Sequence, residues 1–436
     1  MKIIRADAAG FAEYFHKLSQ RGGGFSAELL ATVADIISAI TVKGDEALFD
    51  YTAKFDGHQL TAATVEVTDK EKKEALALVA PADLEVIKLA AGRIENYHRY
   101  QITQGYMVKN EGGVELGQVV LPLQRVGIYA PGGKAFYPST LLMAAIPARI
   151  AGVEEIILVT PSKDGRLNPL IAAAAQVSGV RRIFKIGGAQ AIAALAYGTK
   201  TIPRVDKIVG PGNAYVAAAK KLVFGQVAID MIAGPSEVVI IADKTASATF
   251  VAADMLAQAE HDEMAAAVLL TPLEEMARNV FKKIDSQLKT LTRKKIMEES
   301  LGKYGAIIIT ADIAQAVELA NQFAPEHLEL MVENPSEILK QVRNAGSVFL
   351  GSFTPEALGD YIAGTNHILP TQGTARFSSP LGVYDFYKRM SVLSFSQEAF
   401  GRLSGQTAHF AKIEGLEAHA NSVIVRNSFG KGKSNK

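Results

Sequence analysis

From about Val114 the chain changes rhythm, and no other feature constrains its fold as much. VELGQVVL, EEIILVT, RRIFKIG and VDKIVG are short apolar runs of strand length. Each but the first is bounded by Gly or Pro and separated from the next by an Ala-rich helical stretch. The rhythm resumes at EVVIIAD, AAAVLLT, YGAIIIT, LELMV and SVFLG, and it is lost after FSSPLG (377–382). Strands alternating with helices predict parallel sheets covered on both faces, and two such blocks predict two similar sheets. Upstream, AELLATVADIISAI and DLEVIKLAAGRIENYHRY carry apolar residues at helical spacing. RGGG (Arg21–Gly24) reads as a linker behind an N-terminal arm, and KGKSNK at the end reads as disordered.

The length of 436 residues exceeds what one core holds, so more than one domain is expected. Lys plus Arg number 46 against 45 Asp plus Glu, for a net charge of +1. That balance gives no basic field to recruit nucleic acid or anionic lipid. MKIIRADAAGF has no apolar core of a secretory signal, and runs such as AAAVLLT are too short to span a bilayer, so a cytoplasmic protein is expected. The chain has no cysteine, which removes disulfides, thiolate metal sites and a cysteine nucleophile. Any aldehyde oxidation must therefore activate water by another group.

Several motifs carry chemistry-bearing residues. VGIYAPGGKAFYPST (Val126–Thr140) runs from a strand through a Gly-Pro loop into a helix capped by Ser139 or Thr140, a place where free N–H groups favour anions, although taken alone the motif reads better as a tight turn. VGPGNAYVAAAK (209–220) opens like a dinucleotide fingerprint, but Tyr215 stands at the third glycine position. Asp230, at the distance of a ribose-binding acid, is therefore read as coincidental. GGAQAIAALAYG (187–198) places Gln190 near a helix start. In DMLAQAEHDE, Gln258 and His261 are spaced i, i+3 and share a helix face, as ligands or as ordinary surface residues. Asp360 lies in a loop-like LGDYIAGTNHILP, and His419 in EGLEAHANS beside Glu414 and Glu417. Imidazole, carboxylate and amide oxygen form a set suited to zinc, with manganese as a substitute. In APEHLELMV, Glu326 and His327 follow Pro325 at a helix start or a strand entry, and a helix N-terminus would keep His327 neutral.

Taken together, the strings IDMIAGPSEVVIIADKTASATFVAADMLAQAEH (229–261), DKIVGPGNAYVAAAK, FAPEHLEL, AGSVFLG, TPEALGDYIAGTNHILPT, ARFSSPLGVYDF and EGLEAHA resemble the histidinol dehydrogenase family along roughly Ser26 to Arg426. The resemblance implies metal ligands at Gln258, His261, Asp360 and His419, an acid–base pair at Glu326 and His327, and NAD contacts at Tyr129, Gln190 and Asn213. It implies substrate contacts at Ser236, Gln258, His261, His327, Asp360, Glu414 and His419, with Glu414 and His419 supplied by the partner subunit of a homodimer. The implied reaction is the metal-dependent four-electron oxidation of L-histidinol to L-histidine via histidinaldehyde with two NAD, closing histidine biosynthesis. The expected class is α/β: two doubly wound, incomplete Rossmann-like domains with parallel sheets, a small N-terminal arm and a small helical C-terminal domain. The expected boundaries are 1–25 for the arm, 26–128 with 237–381 for the metal and catalytic domain, 129–236 for the NAD domain and 382–436 for dimerisation. Other readings are a related dehydrogenase of another small alcohol, such as a sulfonated diol, and a non-catalytic metal- or nucleotide-binding protein.

Overall fold

The computed structural model describes residues 1–21, 24–110, 112–132 and 137–428. The central glycines of the expected linker, the middle of the Gly-Pro loop and the terminal KGKSNK therefore lie outside the described residues. In chain order the strands are β1 (Lys2–Arg5), β2 (Tyr106–Asn110), β3 (Val114–Pro122), β4 (Arg125–Tyr129), β5 (Glu155–Val159), β6 (Arg182–Phe184) and β7 (Lys207–Val209). They continue as β8 (Ala228–Ile229), β9 (Glu237–Ala242), β10 (Ala266–Thr271), β11 (Ala306–Ile309), β12 (His327–Met331), β13 (Ser347–Leu350) and β14 (Tyr387–Phe395). The chain divides into two units, Met1–Ile102 with Leu123–Phe386, and Thr103–Pro122 with Tyr387 onward.

The first unit contains both parallel sheets. One has the order β6-β5-β4-β7-β8 and the other β1-β11-β10-β9-β12-β13. Numbered from its own first strand, each block runs 3-2-1-4-5, so the two alternating stretches of sequence do form two similar doubly wound sheets; β1 joins the second as an edge strand parallel to β11. Strand β9 shows why the runs read as continuously apolar. All six side chains of EVVIIA are buried, with Val238, Ile240 and Ala242 in one core and Val239 and Ile241 in the other. A strand covered on both faces has no polar side to alternate with.

The helix Ala27–Lys43 buries Val33, Ile36, Ile37 and Ile40, an i, i+3, i+4 stripe, in the core of the five-stranded sheet with Phe184 and Ile192. The following helix Asp45–Asp56 adds Leu48 to the same core. The sequence grouped these residues with 237–381; their apolar stripe instead meets the Ala-rich helices Gly188–Tyr197 and Ala214–Val223. Among the described residues no helix is long and apolar enough to cross a membrane.

In the second unit β3 pairs antiparallel with β2 and β14, followed by helices Gln397–Ile413 and Glu417–Ser428. VELGQVVL is thus the exception among the strand-like runs. No helix separates it from β4, so it has no crossover to make it parallel. The C-terminal region adds the nine-residue strand β14 to its two helices.

Candidate active site and nucleotide crevice

In the five-stranded sheet the strand order reverses between β4 and β7, and ligands of such sheets bind beyond the carboxyl ends at that point. Three of the residues singled out for NAD lie at carboxyl ends of this sheet. Tyr129 ends β4, Asn213 follows β7, and Gln190 lies in the first turn of the helix after β6. Tyr129 is buried, its hydroxyl accepts from the Gly188 N–H at 3.3 Å, and burial pushes its pKa up to about 12. Gln190 is 1% exposed, yet neither its amide oxygen nor its nitrogen has a hydrogen-bond partner. Two buried polar atoms left open are costly unless a ligand or water satisfies them, so this crevice fits a polar molecule such as the amide- and hydroxyl-rich NAD.

The turn beneath the crevice is tightly held. Asn213 caps the helix Ala214–Val223 by accepting from the Val216 N–H at 3.1 Å. Asp230 accepts from the N–H groups of Gly210 (2.7 Å) and Met231 (2.6 Å) and from the buried Lys220 ammonium. Its oxygens are committed to the protein, in accord with reading its ribose-like spacing as coincidental. Thr140 does not cap its helix: the N-cap is Tyr137, with no side-chain bond, and Thr140 Oγ1 instead meets His367 Nε2 at 3.2 Å. The Pro at the first turn removes an N–H that a cap would have served.

The second constellation lies at the amino ends of the six-stranded sheet. Ser236 immediately precedes β9, Glu326 precedes β12, and His327 is its first residue. Pro325-Glu326-His327 is therefore a strand entry and not a helix start. The ladder pairs His327 with Val238, which brings both adjacent residues to the backbone of Glu237. Glu326 Oε2 accepts from the Glu237 N–H at 3.1 Å, and His327 Nδ1 lies 3.2 Å from the Glu237 carbonyl oxygen. Carboxylates surround the 3%-exposed imidazole. Nδ1 is 3.7 Å from Glu356 Oε1 and 3.8 Å from Glu326 Oε2, and Nε2 is 3.7 Å from Asp360 Oδ1, beyond hydrogen-bond reach. Burial alone would lower the His327 pKa, but Glu356, Glu326 and Asp360 outweigh it and raise it well above the ordinary value. This is the opposite of the neutral histidine that a helix start implies. Burial also raises Glu326.

Gln258 lies in the last turn of the helix Ala248–Ala259 and His261 follows that helix, with the His261 N–H donating to the Gln258 carbonyl at 3.3 Å. Gln258 is fully buried and both its amide atoms lack partners. Asp360 lies in the one-and-a-half-turn helix Glu356–Tyr361, and its carbonyl is met by His367 Nδ1 at 2.9 Å. One ligand atom each of His261, Glu356 and Asp360 lie within 4.8 Å of one another. Burial lowers His261, and Asp360 stays below the ordinary value because, although burial opposes it, His327, His367 and His261 outweigh that. The imidazole of His261 with the carboxylates of Glu356 and Asp360 forms a nitrogen–oxygen donor set that fits a divalent cation such as zinc or manganese, and the unpartnered amide of Gln258 is a further oxygen free to join one. Glu414 and His419 belong to the second unit and are exposed; the cluster is built from the first unit alone.

Comparison with known proteins agrees with this geometry. A model of the histidinol dehydrogenase family matches residues 19–427. The chain belongs to the histidinol dehydrogenase family. It is 52% identical to the histidinol dehydrogenase of Syntrophotalea carbinolica over 98% of its length and 99% of that protein. It is 48% identical to that of Geobacter metallireducens over the whole of both. The crystal structure of the histidinol dehydrogenase from Elizabethkingia anophelis superposes with a TM-score of 0.92 at 38% identity, covering 99% of this chain and 98% of that one. Histidinol dehydrogenases are thus its relatives at full length, and neither the other-alcohol nor the binding-protein reading is favoured.

Within this histidinol dehydrogenase fold, several residues of the cluster went unnoticed in the sequence. Glu356 is four residues before Asp360 and Asp254 four before Gln258, a helical spacing that signals a shared face. Glu329 is two residues after His327 on a strand, again the same face; its Oε1 accepts from the Glu356 N–H at 2.9 Å. Burial pushes Glu356 up to about 8 and Asp254 to about 6. Arg21 and Glu237 carried no sequence signal, because their meeting spans the chain.

Proposed function

We propose that this NAD-dependent dehydrogenase oxidises L-histidinol to L-histidine through histidinaldehyde, passing four electrons to two NAD. The observation that carries the reading is His327 Nε2, an unpartnered buried nitrogen facing Asp360, with Nδ1 turned to the Glu237 carbonyl. A carbonyl only accepts, so the neutral ring carries its proton on Nδ1 and keeps the Nε2 lone pair. Nε2 takes the alcohol proton as the carbon loses hydride. Glu326, raised by burial and so basic for a carboxylate, takes a proton from the water that attacks the aldehyde. The hydrated aldehyde then gives up its own hydroxyl proton and a second hydride, leaving the acid. This sequence needs no thiol, in keeping with the absence of cysteine.

NAD, held at the Tyr129–Gln190–Asn213 crevice, supplies the hydride acceptor. Gln258, His261, Asp360 and His419 would hold a zinc or manganese ion, which would give the substrate's nitrogens a partner and, as positive charge among carboxylates, would lower the proton affinity of His327. Ser236 and Glu414 line the substrate pocket, with Gln258, His261, His327, Asp360 and His419. Residues 237–381 carry Glu326, His327 and the metal-binding Gln258, His261 and Asp360, and residues 129–236 hold the nucleotide. Glu414 and His419 serve the site of a second copy in a homodimer. Their exposure within one chain supports this, as do the exposed Tyr106, Met107, Val108 and Leu393 of the antiparallel sheet. The reaction is assigned to the cytoplasm.

The test is NADH formed per L-histidinol consumed, before and after chelation. Two NADH per substrate, lost on chelation and restored by zinc or manganese, is the expected result. A metal-loaded enzyme that forms no NADH from histidinol overturns the substrate assignment.

A further inference from the structure

Both catalytic side chains hang on the backbone of one residue, Glu237, and an ion pair that takes no part in the chemistry holds that residue. Glu237 offers its N–H to Glu326 and its carbonyl to His327 Nδ1. Its own carboxylate, 1% exposed, lies 3.7 Å from the equally buried guanidinium of Arg21 and accepts from the Gln372 N–H at 2.5 Å. Arg21 arrives from the N-terminal segment, more than two hundred residues away in sequence. Its fork spans the loop before β9: Nη2 donates to the carbonyls of Ser236 (3.0 Å) and Pro235 (3.4 Å), and Nε to that of Met264 (3.2 Å). Gln372 closes the frame by donating from Nε2 to the Arg21 carbonyl at 3.0 Å. It does so with φ +54, a left-handed conformation that a side chain adopts only under constraint.

A buried ion pair is a weak source of stability, because desolvation offsets the attraction. This one instead fixes the three consecutive residues 235–237 from which the substrate-lining Ser236, the Glu326 carboxylate and the His327 tautomer are set. We propose that Arg21 and Glu237 are positioning residues for the oxidation: Arg21 holds the 235–237 backbone so that the Glu237 carbonyl keeps the His327 proton on Nδ1 and leaves Nε2 free to act. Arg21 touches neither substrate nor cofactor in this scheme. The inference rests on His327 being the base, and it adds the residue that makes it one.

The test compares Arg21→Ala, Arg21→Lys and His327→Asn in the zinc-loaded enzyme. The readouts are kcat, the KM for NAD, the melting temperature and the tautomer of His327. Nitrogen-labelled histidine spectra give the tautomer, with His327 assigned by its disappearance in His327→Asn. Arg21→Ala should lose kcat by about 10²-fold, the size of effect a displacement of about 1 Å produces, with KM for NAD little changed and the Nδ1–H form no longer dominant. Arg21→Lys keeps the charge but not the fork and should fall between, and added guanidinium should restore part of the loss in Arg21→Ala. If Arg21→Ala does not fold, Arg21→Lys carries the test. Variants that melt earlier yet keep kcat within about threefold and an unchanged His327 tautomer overturn the proposal. Full turnover in His327→Asn overturns the base assignment itself, and the tautomer measurement then still decides whether Arg21 orders the ring.

Discussion

Gly210 illustrates how much a single position decides. Its φ is +112, and a Cβ there would stand 2.2 Å from the Tyr129 carbonyl oxygen. Backbone strain and backbone overlap thus act together, and only glycine lets β4 and β7 open the crevice between them. Gly210→Ala is expected to cost at least about 2 kcal/mol of stability and to raise the KM for NAD by about tenfold, since Tyr129 and Asn213 move with the turn. Urea unfolding together with NAD titration checks this, and unchanged values in both would show that the turn adapts. The glycine was visible in the sequence as part of a broken fingerprint. Its true partner, a carbonyl some eighty residues earlier, was not.

At the scale of elements, two sheets with the same strand order do different work at opposite ends. Beyond the carboxyl ends of β9 and β12, Asp243 accepts from the N–H groups of Glu333 (2.8 Å) and Thr245 (2.8 Å), so that switch point is bridged by the protein itself. The corresponding point of the five-stranded sheet keeps the unpartnered Gln190 amide, which is why the nucleotide is assigned there. The same sheet is laced at its strand starts. Arg125 and Glu155 are opposite each other in the β4–β5 ladder and paired, and Glu155 also accepts from Arg182 (2.9 Å), which holds Glu66 with two bonds of 2.9 Å. Burial would raise Glu155, but the two arginines outweigh it and hold its pKa below the ordinary 4.5. A lowered carboxylate stabilises the fold above its unfolded pKa and loses that contribution as pH falls through its folded one. Glu155→Gln should therefore melt below the parent at neutral pH, with the gap closing as the pH drops below about 4.5. A gap that persists unchanged under acid would mean that packing, not charge, accounts for it.

For the whole molecule, the decisive claim is that each active site draws on two chains. If Glu414 and His419 complete a partner's site, His327→Asn and His419→Ala variants are defective in different parts of one composite centre. Mixed, unfolded and refolded together, they form heterodimers with one intact site and one doubly damaged. Activity should return to about a quarter of the parent from two inactive stocks, half the dimers being mixed and each carrying one working site. No recovery, with mixed dimers present by mass, would place all the needed groups in one chain.

The sequence alone determined the doubly wound class, because strands buried on both faces read as apolar runs, as VVIIA of β9, AAVLL of β10 and AIII of β11 do. It also determined which residues to watch: Gln258, His261, Glu326, His327 and Asp360 were legible in local strings that match the family. Tertiary structure decided the rest. It set the helix Ala27–Lys43 on the five-stranded sheet, since an apolar stripe does not say which partner fills its grooves. It turned Glu326-His327 into a strand entry ringed by carboxylates, reversing the expected pull on the imidazole. It also brought Arg21 to Glu237 across nearly half the chain. Local patterns encode an element and the face it buries, whereas the proton affinity of a buried group depends on charges that only folding brings within a few ångströms.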